Sequence, residues 1–527
     1  MKPRYFYLAL FSGLLTSLAI PNEIKDTGYS IIGLCAYVPL FIALIQVEDK
    51  KKIIILTVFY FLVANSLQNF WLAFFHSFGL FTFLGAIVGY MPYSLALGYF
   101  LYYSLKAFKS KTLTLAILFT LYDYSKSVGF SAYPWGFSAF MVNNFNDLIQ
   151  VADVFGVFFV SFVVYFLNAG LASLFIKQTK INTLSTILPF VLVGTSFAYG
   201  IIKKIEINPL LNKEIDTLNI SAIQLNIDPW LPGNYKESIK RSISLTREAL
   251  KENPDTELVL WSEGVLTLPF NSYKDYAYYN PELLKLYDSI NELIIESKSY
   301  FVIGSPSNID LRSRTHQNSV YAIKPNLDIA NIYSKIFLVP FAEKVPFHDY
   351  ELVREFFLNN FGISGQTSGD KIEILKLKKF RLALLICYDD AFTDLARAYK
   401  KQGANLLLNF SNDSWSNTNS SEWQHFVVAK FRSIENGIKT VRATNSGITT
   451  VINEYGENTE SLETFKEGYL NSKIKLSPRI TTIYEHIGDS FVYILAIMFT
   501  IMIFRSYLSY LIEDKTHLSP SLTKPKV

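Results

Sequence analysis

Phe380-Arg381-Leu382-Ala383-Leu384-Leu385-Ile386-Cys387-Tyr388-Asp389-Asp390 is the stretch from which the fold is read. Its apolar run 382–386 has the length of a strand buried on both faces, and it stops at Cys387 just ahead of a helix-like segment, 391–400. A cysteine at such a turn lies near a helix N-terminus, where backbone N–H groups and the dipole favour the thiolate. Read alone, it is more often a small buried apolar residue, the common situation of a free thiol. Two further stretches decide between these readings.

The setting is a membrane protein with a large soluble part. Of 527 residues, half are hydrophobic, 16% are aromatic and only 18% are charged, against roughly 25% charged in soluble globular proteins. The formal net charge of +4 is small and its basic residues are scattered, which gives no footprint for nucleic acid. Two cysteines, Cys35 and Cys387, do not make a disulfide framework.

Apolar runs at 5–20, 29–46, 53–75, 79–105, 112–128, 153–176 and 184–202 predict seven membrane-spanning helices, with an eighth at 489–511. The first resembles a signal peptide behind Lys2 and Arg4, but Ala19-Ile20-Pro21 is a poor cleavage site and further spans follow, so it is read as a helix. Lys50 to Lys52, Lys106, Lys109, Lys111, Lys177 and Lys180 fall in alternate connections. The positive-inside rule then places both termini in the cytoplasm and residues 205–484 outside, with Lys203 and Lys204 on the disfavoured side of a large translocated domain. Tyr133-Pro134-Trp135 reads as an interfacial aromatic anchor, with substrate contact as the alternative. Asp123 and Lys126 lie on one helical face, where they can pair or mark a functional position.

From residue 205 the composition becomes soluble. Strands are expected near 217–224, 256–261, 300–304, 319–323, 328–333, 380–387, 404–410, 439–443 and 448–453, and helices near 236–251, 280–298, 391–401 and 421–436. Their interleaving predicts an α/β or mixed sandwich. The segment 345–371 fits neither period. Its Leu352, Phe356, Phe357, Leu358 and Phe361 suggest a lid at the lipid interface.

Two more strand ends carry chemistry. Glu263 follows the strand 257–261, where partial desolvation raises a carboxyl pKa and suits it to general-base work. Lys335 follows another strand among apolar neighbours, where a buried ammonium requires a negative partner, with Glu343 close by in sequence.

Glu, Lys and Cys at three strand ends in this order resemble the nitrilase superfamily. The run Asn409-Phe410-Ser411-Asn412-Asp413-Ser414-Trp415, then Gln424-His425, Arg432, Glu435-Asn436-Gly437 and Arg442 to Gly447, is similar to its integral-membrane branch, the apolipoprotein N-acyltransferases. Tyr133-Pro134-Trp135, 148–152, 155–157, 160–162, Gln224 with Asn226-Ile227, Thr482-x-Tyr484 and Gly488-Asp489 extend the likeness over nearly the whole chain. The resemblance implies an eight-helix transmembrane bundle joined to a nitrilase-like αββα sandwich. The expected division is 1–204 (seven helices), 205–484 (extracytoplasmic catalytic domain), 485–511 (eighth helix) and 512–527 (cytoplasmic tail).

It also implies roles: Glu263 as general base, Lys335 as oxyanion-stabilising cation, Cys387 as nucleophile and Glu343 as a second essential carboxylate, with Tyr388, Asp389, Asn412 and Trp415 in support. The implied reaction passes an acyl chain from a phospholipid, with phosphatidylethanolamine expected, through a Cys387 thioester to the α-amine of a diacylglyceryl-cysteine apolipoprotein in the bacterial inner membrane, the catalytic domain being periplasmic. No cofactor is implied, and the six histidines form no ligand-spaced metal site. Three positions depart from the family pattern: Asp389 replaces a glutamate, Ser416-Asn417 replaces Phe-Gly, and the tryptophan expected after Asn226 has two candidates, Trp230 and Tyr235. A Cys387–His425 pair is a rival mechanism. A tethered amidase acting on small amides and a non-catalytic lipoprotein-binding factor are rival functions.

Overall fold

The computed structural model describes residues 2–75, 79–176, 183–231, 233–277, 280–310, 315–345, 347–348, 350–361 and 365–517. The expected positions Lys177 and Lys180 lie outside the described residues.

Apolar helices gather around one core lined by Leu40, Phe41, Leu56, Tyr60, Leu101, Leu115, Phe119 and Tyr165. Among the described residues, four helices have the length and apolarity to cross a membrane: Lys50–Gln68, Gly79–Ala107, Val157–Leu174 and Thr186–Leu211. Pro3–Ala19, Lys111–Ser125 and the shorter apolar helices Ser30–Gln46 and Ser490–Arg505 accompany them.

Three details differ from the sequence reading. The expected span 53–75 ends at Gln68 and gives way to a 3-10 turn, Phe70–Phe74. The turn is fixed from outside the membrane half, because the Trp71 indole donates to Gln68 O at 3.0 Å and to Gln424 Oε1 at 3.3 Å. The expected span 184–202 continues as helix to Leu211. Lys203 meets Asp153 at 2.9 Å, and Lys204 meets Asp147 at 2.8 Å and Glu457 at 3.0 Å. The two lysines that sat awkwardly with the positive-inside rule are therefore neutralised by partners. Asp123 and Lys126 do not bond each other: Asp123 accepts from Ser161 Oγ at 3.0 Å, and Lys126 donates to Trp135 O at 2.7 Å.

The soluble half is two six-stranded sheets. The first runs β12-β1-β2-β3-β4-β5, with β1 Asp216–Gln224, β2 Leu258–Trp261, β3 Tyr300–Asp310, β4 Thr315–Ile323, β5 Ile329–Ser334 and β12 Gly468–Leu476. The second runs β11-β10-β9-β8-β7-β6, with β6 Ile374–Leu377, β7 Phe380–Ile386, β8 Leu406–Ser411, β9 Lys439–Thr444, β10 Thr450–Ile452 and β11 Asn458–Ser461. Leu218, Ile220, Leu258 and Val320 of one sheet meet Leu382, Leu384, Leu406 and Val441 of the other in a shared core. Helices Asn234–Glu252 and Pro281–Ser297 cover the outer face of the first sheet through Ile239, Leu245, Tyr287 and Ile294. Helices Thr393–Lys401 and Asn419–Asn436 flank the second, giving the expected αββα sandwich.

The strands not anticipated are β6, β11 and β12. Two are four residues long, one of those wholly exposed, and charged residues interrupt β12 even though Ile474 and Leu476 alternate inward. The segment 345–371 also holds an unanticipated helix, Glu351–Phe361, none of whose side chains is buried. Tyr133 and Trp135 are not lipid-interface anchors: their rings stack at 5.4 Å, and Trp135 stacks in turn on Tyr388 of the sandwich at 5.7 Å. With Phe137, Phe140, Phe426 and Phe431 they belong to a core shared by the two halves.

Candidate active site

Strands β1, β2 and β3 run parallel, as do β7, β8 and β9, so their carboxyl ends present the following residues on one side of the sandwich. β2 delivers Glu263, β7 delivers Cys387 and β8 delivers Asn412 and Asp413; β5 adds Lys335. Gly304 permits the approach of β3 to the glutamate turn, since a Cβ there would lie 2.3 Å from Ser262 O and 2.8 Å from Glu263 Cα.

The buried Lys335 ammonium donates to Glu343 Oε1 at 2.8 Å and to Glu263 Oε1 at 3.5 Å. Asn318 Nδ2 reaches the same two oxygens, at 3.4 Å and 2.6 Å, and the Asn412 N–H holds Glu263 Oε2 at 2.9 Å. Glu343 is fixed at its other oxygen by Val339 N–H, 2.8 Å away. Burial raises the pKa of Glu263, with Lys335 opposing the rise and Glu343 adding to it. Burial would lower that of Lys335, but Glu343, Cys387 and Glu263 outweigh it and hold the ammonium well above the ordinary lysine range.

Cys387 sits at φ +46°, a left-handed conformation that costs a non-glycine residue of the order of 1–2 kcal/mol. The expectation of a helix-stabilised thiolate is corrected here. Cys387 opens a five-residue 3-10 turn, and the helix proper starts only at Thr393. Burial and the nearby Glu263 carboxylate push the thiol pKa well up, against the pull of Lys335. The resting Cys387 side chain is a neutral thiol.

Asp389, shorter than the family's glutamate, is fully engaged. It accepts from Phe337 N at 2.9 Å, Ile336 N at 3.2 Å, Ile386 N at 3.0 Å and Tyr333 OH at 2.8 Å. One carboxylate thereby ties the Lys335 loop to the start of the cysteine turn, its shorter side chain notwithstanding. Burial pushes its pKa up to about 6 against these donors. Tyr388 OH donates to Ala132 O of the membrane half at 2.7 Å, anchoring the cysteine turn there. Trp415 packs on Trp71 at 5.6 Å and Phe75 at 4.7 Å, while Ser416 and the left-handed Asn417 close a turn behind it. The Trp230 indole lies over Gly264, beside Glu263, whereas Tyr235 packs into the core under the first sheet.

His425 is not paired with the thiol as a base. Its Nδ1 lies 3.0 Å from Asp413 and its Nε2 3.1 Å from Asp390, with Cys387 O at 3.3 Å; Arg442 bonds Asp390 at 2.6 Å. Burial opposes a charged imidazole, but Asp413 and Asp390 outweigh it and lift the pKa to about 9. Cys387, Asp413 and His425 offer ligand atoms within 4.8 Å of one another. As an imidazolium bonded at both nitrogens, however, His425 has no lone pair for a metal or for the thiol's proton.

Sequence reasoning missed Asn318 and the Asp390–His425–Asp413–Arg442 network. An asparagine inside the otherwise inward-facing β4, and an arginine in the buried strand β9, were the available signals.

This fold and site define a carbon-nitrogen hydrolase domain, and the carbon-nitrogen hydrolase family profile matches residues 219–484. The apolipoprotein N-acyltransferase N-terminal domain profile matches residues 12–170. An apolipoprotein N-acyltransferase of Borreliella burgdorferi is 65% identical over 100% of both chains. Apolipoprotein N-acyltransferase 2 of Treponema denticola is 31% identical over 95% of this chain and 97% of its own. Among solved structures, a carbon-nitrogen hydrolase from Helicobacter pylori G27 aligns with 49% of this chain and 89% of its own, at 18% identity and a TM-score of 0.37. The chain belongs to the apolipoprotein N-acyltransferase family and is an acyltransferase.

Proposed function

We propose that the protein N-acylates apolipoproteins by two-step transfer through Cys387, with a phospholipid, phosphatidylethanolamine in the first instance, as acyl donor. The observation that carries the reading is the buried Lys335 ammonium between Glu343 and Glu263, facing a neutral cysteine held at φ +46°. In the first step the Cys387 thiol gives its proton to Glu263 as sulfur attacks the donor's ester carbonyl. Lys335 stabilises the oxyanion, and protonated Glu263 returns the proton to the departing lysophospholipid oxygen. In the second step the α-amine of the diacylglyceryl-cysteine attacks the thioester, Glu263 takes an amine proton, and the thiolate leaves beside Lys335 and is reprotonated. Glu343 orients Lys335. Tyr388, Asp389, Asn412 and Trp415 position the turns around the site.

Both substrates are lipids, which accounts for a hydrolase sandwich fused to a membrane bundle. The proposed topology has eight spans, both termini in the cytoplasm and a periplasmic catalytic domain of residues 205–484, following the membrane domain 1–204 and preceding the last span 485–511 and the tail 512–527. The alternation of basic residues along the chain supports it. The helix Glu351–Phe361, with Phe347, Tyr350, Leu352 and Phe356 exposed and Phe361 stacked on Phe81 at 5.1 Å, is proposed as the lid that meets lipid and shields the thioester from water.

Intact mass spectrometry after incubation with defined phosphatidylethanolamine tests the reading. A hydroxylamine-labile gain of one acyl chain on Cys387, missing in Cys387→Ser, is expected. A wild-type protein that takes up no acyl chain from any phospholipid would overturn it.

A further inference from the structure

Lys344 follows Glu343 in the tight turn 340–344, where Phe341 N donates to Lys344 O at 3.0 Å. Its ammonium lies 5.0 Å from the centroid of the Phe130 ring, and Phe341 meets the same ring edge to face at 6.4 Å. Phe130 is on the membrane-half loop whose Ala132 carbonyl accepts the Tyr388 hydroxyl. Two residues of chain span at most about 7 Å, and Tyr388 directly follows the nucleophile. Lys344 therefore stands at the rim of the active site, where the membrane half and the sandwich meet. It is exposed and makes no ion pair among the described residues.

The charge balance gives this cation a purpose. With both carboxylates ionised, Glu263, Glu343 and Lys335 sum to one negative charge, and Lys335 is already bonded to both acids. The Asp390, Asp413, His425 and Arg442 network carries two charges of each sign and cancels. The phosphodiester of a phospholipid entering this rim, whatever its head group, meets repulsion from this net negative charge unless another cation receives it.

We infer that Lys344, backed by Phe130 and Phe341, is a subsite for the phosphodiester of the lipid donor. The ammonium takes the phosphate oxygens, and the two rings face the glycerol and first methylenes, leaving the ester carbonyl free to reach Cys387. Every glycerophospholipid carries this phosphodiester, so the subsite selects for the phosphate and not for the head-group alcohol. The inference rests on the acyl-transfer reading above.

The test measures the rate of thioester formation on Cys387 in the full-length protein in detergent. Donors are phosphatidylethanolamine, phosphatidylglycerol and a phosphate-free acyl donor, p-nitrophenyl palmitate. Lys344→Ala is expected to raise the half-saturating concentration of both phospholipids about three- to fivefold, the upper range for an exposed ion pair. Lys344→Glu should raise it further and Lys344→Arg should restore it, while the phosphate-free donor changes by less than twofold. Equal loss on all three donors, or no change on the phospholipids, overturns the subsite. A wild-type protein acylated by p-nitrophenyl palmitate but by neither phospholipid would instead overturn the choice of donor, and the subsite with it.

Discussion

Replacing His425 with Gln removes the one titrating cation from a buried cluster of two aspartates and an arginine, and its effect is calculable. The imidazole pKa is about 9 in the folded protein and 6.5 in an unperturbed chain, so the folded state holds this proton more tightly by about 2.5 pKa units, or about 3 kcal/mol at 1.36 kcal/mol per unit. Because the folded pKa is the raised one, the contribution is complete below pH 6.5 and is lost as pH rises through about 9. Lys400 and Lys430, pushed down by burial to about 8, act in the opposite direction over part of that range, so the readout is the difference between wild type and variant. Thermal unfolding of the detergent-solubilised full chain should show His425→Gln less stable by about 3–5 kcal/mol at pH 6, the cost of opening a buried ionic network. That gap should narrow by about 3 kcal/mol towards pH 9.5. Thioester formation should also slow at pH 7, since Cys387 O keeps the Asn409 amide at 3.3 Å but loses its bond from the imidazolium. A wild type and variant whose melting temperatures move in parallel from pH 6 to 9.5 would refute the charged, doubly bonded histidine.

Three further outcomes follow from the same geometry. Lys335→Met leaves Glu263 and Glu343 facing each other without their cation, and single-turnover acylation should fall by about 10²- to 10³-fold, the scale of a lost oxyanion stabiliser. Gly304→Ala drives a Cβ to 2.3 Å from Ser262 O; the displaced Glu263 should cost about 10²-fold in acylation rate with helix content by circular dichroism unchanged, and near-wild-type activity would show that the turn can give way. Tyr388→Phe keeps the stack on Trp135 but leaves Ala132 O without its 2.7 Å donor, so melting should fall by an amount corresponding to about 1–3 kcal/mol and acylation by roughly tenfold.

The strands that carry the chemistry were legible because each is a short apolar run ended by one polar residue: Leu258 to Trp261 before Glu263, and Leu382 to Ile386 before Cys387. Burial between two sheets demands that pattern, and the same demand makes the residue that ends each run conspicuous. The edge strands β6 and β11 carried little such signal, because an exposed edge asks little of its side chains.

Local sequence also determined the helices of the membrane half, since a bilayer requires long apolar runs wherever the chain crosses it. What it did not contain is how distant groups meet. The thiol's state is set by burial and by Glu263, 124 positions earlier in the chain, and not by the helix that follows it. Trp135 looked like an interfacial anchor because lipid headgroups and a neighbouring domain both favour an amphipathic ring; only the packing of Tyr388 on it distinguished them. Asp389 looked one methylene short until the loop bearing Ile336 and Phe337 came within 3.2 Å of it. Residue types and their order thus singled out Cys387, Glu263 and Lys335, which the fold brings together. Their protonation and their attachment to the membrane half were decided by tertiary structure, because charge–charge and desolvation energies depend on distances that no local pattern records.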